Sequence, residues 1–436
     1  MDILGANLIS GVSSIEPGAR FRAVNPSSGA TLDPEFPEAT SAEVDRAFQA
    51  AESAFLTYGS SPASQRATFL RAIADELIAL GSTLIERANA ETALPIARLE
   101  GERARTVSQL RLFADYIEEG SWVEARIDKG DAARTPLPRP DLRRMLIPLG
   151  PVAIFGASNF PFAFSVPGGD TASALASGCT IVCKAHPAHP GTSELCAGAI
   201  NRAAVTAGVP SGVFSIVHGW SHEVGLAMVR HPLARAVGFT GSLRGGRALF
   251  NAAAARPEPI PVYGELGSIN PVFLLPSAAA KADLVTKGLT IAITSGVGQF
   301  CTNPGVVVGL KGESLDAVST LLAERLAQVD AGIMLYEQLG VGFSKAVANA
   351  EAKGASRLSA ASTDEPGVRA RPTLLRVDAG TFLGDRALQE EIFGPVSIIV
   401  GASSAAELEA VAESLEGQLT ATIHGTPDEL REHAKL

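Results

Sequence analysis

Charge is scarce in this chain, and its scarcity excludes several classes of protein at once. Only 19% of the 436 residues are charged against 46% hydrophobic, a balance that implies large buried surfaces, subunit contacts included. The net charge is −10 and the pI near 5.3, which argues against nucleic acid as a partner. No basic segment followed by an apolar core stands at the amino terminus, so no secretory leader is expected and the cytoplasm is the expected compartment. Cysteine is scarce too. Cys179, Cys183, Cys196 and Cys301 do not make the disulfide framework of a secreted protein. Cys179 and Cys183 crowd His186 and His189, but the spacings are too tight for zinc frames, and no metal is expected. The usual dinucleotide fingerprint, Gly-x-Gly-x-x-Gly after a strand, is missing.

Two stretches carry no charge at all. Residues 145–169 are long enough to raise a membrane span. Pro148, Pro151, Pro161 and Pro167 break that run, so it reads as buried strand, loop and helix start, with no membrane partner expected. The second stretch, 288–310, surrounds Cys301 in Gly298-Gln299-Phe300-Cys301-Thr302-Asn303-Pro304-Gly305, with glycines on both sides. A thiolate is a strong nucleophile wherever its surroundings favour the charged form. Glu265, in Glu265-Leu266-Gly267-Ser268-Ile269-Asn270-Pro271, offers a carboxylate that can serve as a base toward water. On these residues alone, burial as a small hydrophobe is the commoner fate of such a cysteine.

The length suggests two or three domains. Thr40 and Glu43 form a capping box before Val44, Phe48, Ala51 and Phe55 at helical spacing. Strands are predicted at 152–155, 180–184, 213–217 and 236–240, with helices over 168–177 and 192–207 and another reaching Val229. This alternation predicts an α/β fold, a parallel sheet with helices on both faces. Ligands of such sheets lie at the carboxyl ends of the strands, where Asn159, Lys184 and Thr240-Gly241-Ser242 fall. The run from Gly241 to Gly246 is either a glycine turn presenting N–H groups to a pyrophosphate or an ordinary strand-to-helix turn. Residues 125–148 hold Pro136, Pro138 and Pro140 with Arg134, Arg139, Arg143 and Arg144 among them, and read as extended edge structure or a solvated loop.

Five ordered segments carry a resemblance to a known family. The Cys301 and Glu265 segments resemble the nucleophile and general-base motifs of the aldehyde dehydrogenase superfamily. Gly156-Ala157-Ser158-Asn159-Phe160-Pro161-Phe162 resembles its oxyanion-asparagine segment, Phe239-Thr240-Gly241-Ser242 its phosphate-side turn, and Glu390-Glu391-Ile392-Phe393-Gly394-Pro395 its ribose-holding segment. Lys184 ends a strand as the family's cofactor lysine does. The resemblance implies a Rossmann-type parallel-sheet cofactor domain over 1–124 and 149–263. It further implies a bridging or oligomerisation hairpin over 125–148 and an α/β catalytic domain over 264–436.

The activity implied is NAD(P)-dependent oxidation of a small-molecule aldehyde to a carboxylate through a cysteine thioester. Cys301, Glu265 and Asn159 would be nucleophile, base and oxyanion donor, with burial raising the Glu265 pKa. Cofactor contacts are expected from Lys184, Ser158, His186, Pro187, Gly241, Ser242, Gly246, Leu266, Glu391 and Phe393. NAD-selective relatives often place a glutamate three positions after the lysine; Pro187 stands there instead, so NADP is expected, with NAD also used. The runs at 168–175, 184–190 and 138–141 resemble the branch that oxidises 2-oxoglutarate semialdehyde (2,5-dioxopentanoate) to 2-oxoglutarate. Fatty aldehyde oxidation, a coenzyme A-acylating relative and an inactive fold-retaining binding protein are the alternatives. Relatives continue several dozen residues past Leu436, so the chain is expected to be truncated, its full-length parent a homodimer or homotetramer.

Overall fold

The computed structural model describes residues 3–359 and 368–436, and the chain divides into two compact units, one ending at Leu266 and one beginning at Gly267. In the first unit, strands β1 (Asn7–Ile9), β2 (Val12–Ser14), β3 (Arg20–Val24) and β4 (Thr31–Pro37) precede four helices, α1 (Ser41–Tyr58), α2 (Ala63–Ala79), α3 (Gly81–Thr92) and α4 (Ile96–Glu119). The expected capping box starts α1. Thr40 Oγ1 accepts the Glu43 N–H at 3.1 Å, and the Glu43 carboxylate takes the Thr40 N–H at 2.9 Å. Val44, Phe48 and Ala51 lie on the buried face of this helix.

Strands β5 (Arg126–Asp128) and β6 (Leu142–Arg144) then form an exposed antiparallel ribbon, with the three prolines in the loop between them. Strand and helix alternate from there: β7 (Val152–Phe155), α5 (Gly169–Ser177), β8 (Ile181–Lys184), α6 (Pro190–Thr206), β9 (Phe214–Val217), α7 (His222–Arg230), β10 (Ala236–Thr240), α8 (Leu243–Ala254) and β11 (Val262–Glu265). The sheet order is β11-β10-β7-β8-β9-β1-β2, the first five strands parallel, as the alternation predicts. The antiparallel strands β1 and β2 at one edge escaped the sequence reading, because three residues are too few to show a period. Helix α6 begins at Pro190, two residues before the expected start; proline is well placed at a first helical turn, where its missing N–H costs nothing.

The uncharged run 145–169 is made of β7, the turn after it and the start of α5, and no helix among the described residues is long and apolar enough to cross a membrane. The division after Leu266 lies beyond the expected boundary at 263/264. The reason is that β11 stays paired with β10 through Thr240 and Glu265, so Glu265 belongs to the sheet of the first unit.

The second unit holds β12 (Val272–Leu274), α9 (Pro276–Ala279), α10 (Ala282–Thr294), β13 (Val306–Leu310), α11 (Glu313–Ala327), β14 (Gly332–Ile333), α12 (Glu337–Ala352) and β15 (Ser356–Arg357). After these come β16 (Arg369–Ala370), β17 (Thr373–Asp378), α13 (Ala379–Gly384), β18 (Val396–Ala402), α14 (Ala405–Ser414), β19 (Thr422–His424) and α15 (Pro427–Glu432). Its six-stranded sheet runs β15-β17-β18-β13-β12-β19, parallel except for β15. Val306 and Val308 face one apolar cluster and Val307 another, so β13 is buried on both sides and reads as an unbroken apolar run.

Candidate active site

The first unit assembles its polar residues at the carboxyl ends of β7, β8, β10 and β11. Pairing sets them side by side: Phe155 opposite Lys184 and Phe239, and Thr240 opposite Glu265. After β7 the chain folds tightly, since a Cβ on Gly156 would stand 2.6 Å from Ser165. Ala157 N–H closes the turn on the Phe164 carbonyl at 2.8 Å. Ser158 is half-buried and Asn159 only 8% exposed within that turn. Helix α4 holds the turn from outside. Arg98 Nη2 donates to the Asn159 carbonyl at 2.6 Å, and Glu102 Oε1 accepts the Phe162 and Ala163 N–H groups at 2.8 and 3.0 Å. Burial pushes the Glu102 carboxyl up, against these hydrogen bonds and the nearby Arg98.

Lys184 donates from Nζ to the Gly219 carbonyl at 2.6 Å. Burial lowers its pKa to about 8, opposed by the nearby Glu38 carboxylate. Glu38, which the sequence reading passed over, accepts hydrogen bonds from the Trp220 and Ser221 N–H groups and from the Ser221 hydroxyl. Burial works against its ionisation, but those bonds and Lys184 hold Glu38 below the usual carboxylate range. His186 stacks on His189 with centroids 5.4 Å apart, and burial, His189 and Lys184 hold it well below its ordinary value. It is therefore neutral at pH 7. His189 in turn reaches the Ala157 carbonyl through Nε2 at 3.1 Å, tying the 186–189 segment to the Asn159 turn.

The Gly241–Gly246 run is a strand-to-helix turn in which the glycines serve packing. Gly241 N–H is engaged by the Glu265 carbonyl at 3.1 Å, and Ser242 Oγ caps α8 by accepting the Gly245 N–H at 3.2 Å. A Cβ on Gly246 would stand 2.1 Å from Leu266 Cδ2. The row of free glycine N–H groups expected for a pyrophosphate is thus partly used within the turn itself.

Asp170 is the residue the sequence reading missed. It stands in the first turn of α5, its carboxylate against Gly238, where a Cβ would lie 3.1 Å from Oδ2. Burial first, and the neighbouring Glu265 second, raise its pKa to about 6. One signal was there to find: Asp170 is the first charge after the uncharged run 145–169.

In the second unit the chain leaves α10 through three consecutive left-handed residues, Gly296 (φ 56°), Val297 (φ 60°) and Gly298 (φ 64°). A β-branched residue there is an outlier, and such strain persists only where the surroundings over-determine it. Gly298 is locked against the Gly394 carbonyl, which a Cβ would approach to 2.3 Å. Three residues on stands Cys301, half-buried. Asn270, itself left-handed at φ 46°, donates through Nδ2 to the carbonyls of Cys301 and Asn303 at 2.8 and 2.9 Å. Its Oδ1 accepts from Ser268 and Thr420, so the segment after Glu265 holds the cysteine turn in place. Glu391 lies against Gly267, where a Cβ would meet its carboxylate at 2.5 Å, and burial raises its pKa to about 7 against a hydrogen bond from Ser268. Glu391, Phe393, Phe300, Asn303 and Ser268 line one cleft of this unit.

The model of the aldehyde dehydrogenase family matches residues 14–435, and the chain belongs to that family of NAD(P)-dependent oxidoreductases. Among curated relatives it is 49% identical, over 98% of its own length and 82% of the relative's, to alpha-ketoglutaric semialdehyde dehydrogenase 2 of Azospirillum brasilense. It is 44% identical, over 92% and 76% of the two lengths, to the alpha-ketoglutaric semialdehyde dehydrogenase of Acinetobacter baylyi. The fold matches betaine aldehyde dehydrogenase of Staphylococcus aureus with a TM-score of 0.84 at 21% identity, covering 100% of this chain and 86% of that one.

Asp170→Asn should stabilise the protein, and only where Asp170 is ionised. Its folded-state pKa is raised, so the native state holds the proton more tightly than the unfolded chain, and stability is lost as pH climbs from about 4 through about 6. A gain of about 3 kcal/mol at pH 7.5 is expected in urea unfolding, shrinking toward zero near pH 4. An equal gain at both pH values would mean that packing, not charge, sets the cost. Asn270→Ala removes both donors from the cysteine turn and should cost about 2 kcal/mol of stability. The kcat should fall with it. Urea midpoints and single-turnover rates check the two effects; an unchanged rate would show that the turn holds its shape without Asn270.

Proposed function

We propose that this chain oxidises 2-oxoglutarate semialdehyde to 2-oxoglutarate, with NADP as preferred acceptor and NAD also used. The observation that carries the substrate is the 49% identity to the Azospirillum brasilense enzyme over 432 residues. In this reading the Cys301 thiolate attacks the aldehyde carbon, forming a carbon–sulfur bond and an oxyanion. The Asn159 side-chain amide and the Cys301 N–H donate to that oxygen as its charge develops. Bound NAD(P) supplies the hydride acceptor. Once the hydride has left the carbon, Cys301 carries a thioester. Glu265 takes a proton from water, whose oxygen attacks the thioester carbon; the carbon–sulfur bond breaks and the carboxylate leaves.

The residues of each unit are of the kind a dinucleotide needs. In the first unit Lys184 offers a cation at a strand end and Ser242 opens a helix behind a turn too tight for side chains, with Ser158, Gly241, Gly246 and Leu266 assigned beside them. In the second unit Glu391 offers a carboxylate for ribose hydroxyls, with Phe393 assigned beside it. Support for NADP comes from Pro187, which brings no carboxylate beside Lys184, whereas neutral His186 adds no charge. Glu38 supplies a nearby counter-charge from another element, which is the physical reason for NAD to remain usable. The β5–β6 ribbon exposes Ile127 and Leu142, and Ile147 just beyond it is exposed too, which supports an assembly of two or four copies, and the cytoplasm as compartment accords with this chemistry.

A panel of aldehydes assayed with both cofactors tests the substrate; no preference for the 2-oxo semialdehyde over simple aliphatic aldehydes would sink it. Cys301→Ala should abolish reduced-cofactor formation. Glu265→Gln should instead give a burst near one reduced cofactor per site followed by a slow phase, because hydride transfer precedes hydrolysis. Steady turnover without a burst would place Glu265 elsewhere in the mechanism. Pro187→Glu should lower the NADP/NAD ratio of kcat/KM by about ten-fold, since a charge pair in a partly exposed site is worth on the order of one to a few kcal/mol. A ratio that does not move overturns the role given to this position.

A further inference from the structure

Helix α4 does more than brace the Asn159 turn. Arg98, Glu102 and Arg105 are spaced four and three residues apart and so share one face of the helix. Each arginine stacks on one of the rings that follow Asn159: Arg98 lies 5.0 Å over Phe160 and Arg105 lies 4.8 Å over Phe164. The two rings meet edge to face with centroids 5.0 Å apart, so arginines and rings form one continuous patch leading away from the oxyanion asparagine.

The two arginines differ in what they do there. Arg98 spends Nη2 on the Asn159 carbonyl. Arg105 is exposed and, among the described residues, enters no ion pair and no side-chain hydrogen bond; it lies over the face of Phe164 and attracts the Glu102 carboxylate at longer range. Glu102 sits between them with Oε1 taken by the Phe162 and Ala163 N–H groups, and it attracts Arg105 without closing a salt bridge to it. A guanidinium seated over a ring face can still offer N–H groups outward, and a guanidinium edge matches a carboxylate in two parallel hydrogen bonds.

We propose that Arg105, steadied by Phe164, is the specificity-determining residue that receives the carboxylate of an anionic semialdehyde whose aldehyde end lies at Asn159. The proposal rests on the substrate reading above and deepens it by assigning the cationic subsite. It also gives Phe160 and Phe164 a task, as the apolar wall along which the short carbon chain between the two ends lies.

The test compares 2-oxoglutarate semialdehyde with pentanal, a neutral aldehyde of equal chain length, in the parent, Arg105→Gln and Arg105→Lys. In Arg105→Gln, KM for the anionic substrate should rise about ten-fold with little change in kcat, while kcat/KM for pentanal stays within about two-fold. Arg105→Lys should recover part of the loss, because the charge returns without the fork. The difference between the two substrates in the parent should shrink at high salt, as expected of a partly exposed charge pair. A loss shared equally by both aldehydes assigns Arg105 to packing, and no loss with either removes it from recognition; both results overturn the subsite while leaving the substrate reading standing. A parent that does not prefer the anionic aldehyde overturns the substrate reading and the subsite with it.

Discussion

Register between parallel strands is the constraint on which the first unit depends. Parallel pairing aligns β7 with β8 and β10, and β10 with β11, so that Phe155, Lys184, Phe239, Thr240 and Glu265 all finish at one edge of the sheet. A slip of one residue in any of these ladders would turn every side chain of that strand to the opposite face. Apolar burial resists such a slip. Val152, Ala153, Ile154, Ile181, Val182 and Cys183 are all nearly inaccessible, so these central strands are buried on both faces. The same ladders bring Glu265 near the carboxylate of Asp170, an arrangement that burial makes costly and that chemistry at a carboxyl edge can use.

Asn159 and Cys301 stand on turns, and each turn is held by a specific device. Helix α4 fastens the Asn159 turn with the Arg98 guanidinium and the Glu102 carboxylate, and His189 adds a third tie through the Ala157 carbonyl. The cysteine turn is held by Asn270 and by the close approach of Gly298 to Gly394. These ties come from residues distant in sequence, so the turns keep shapes that local propensity would not select. Val297 at positive φ is the clearest sign: no isolated peptide would hold it there.

The balance of charge around Lys184 shows how a site is tuned by elements that do not belong to its motif. Glu38 comes from the connection before α1, yet its carboxylate opposes the effect of burial on Lys184 and anchors the turn that opens α7. The absence of a carboxylate at Pro187 therefore does not leave the lysine without an anionic neighbour. The charge around this lysine depends on where a carboxylate stands in space, not only on which residue follows the lysine.

Composition and pattern determined the class of fold, because long alternation of apolar strand and amphipathic helix admits few arrangements other than a parallel sheet with helices on both faces. They also marked the strands at 152–155 and 236–240 to the residue and the capping box at Thr40, where the signal is local and the chemistry short-range. The segments around Cys301, Glu265 and Asn159 stood out for a similar reason: each is a short, unusual run of neighbours. Tertiary structure alone decided that Glu265 ends a strand of the first unit, that Asn270 grips the Cys301 carbonyl, and that α4 lies along the Asn159 turn. It also decided the burial that lifts Asp170 and the company that holds Glu38 ionised. These depend on contacts between residues 30 to 200 positions apart, for which a single sequence carries no periodic signal; only the packed chain brings such groups within hydrogen-bond or Coulomb range.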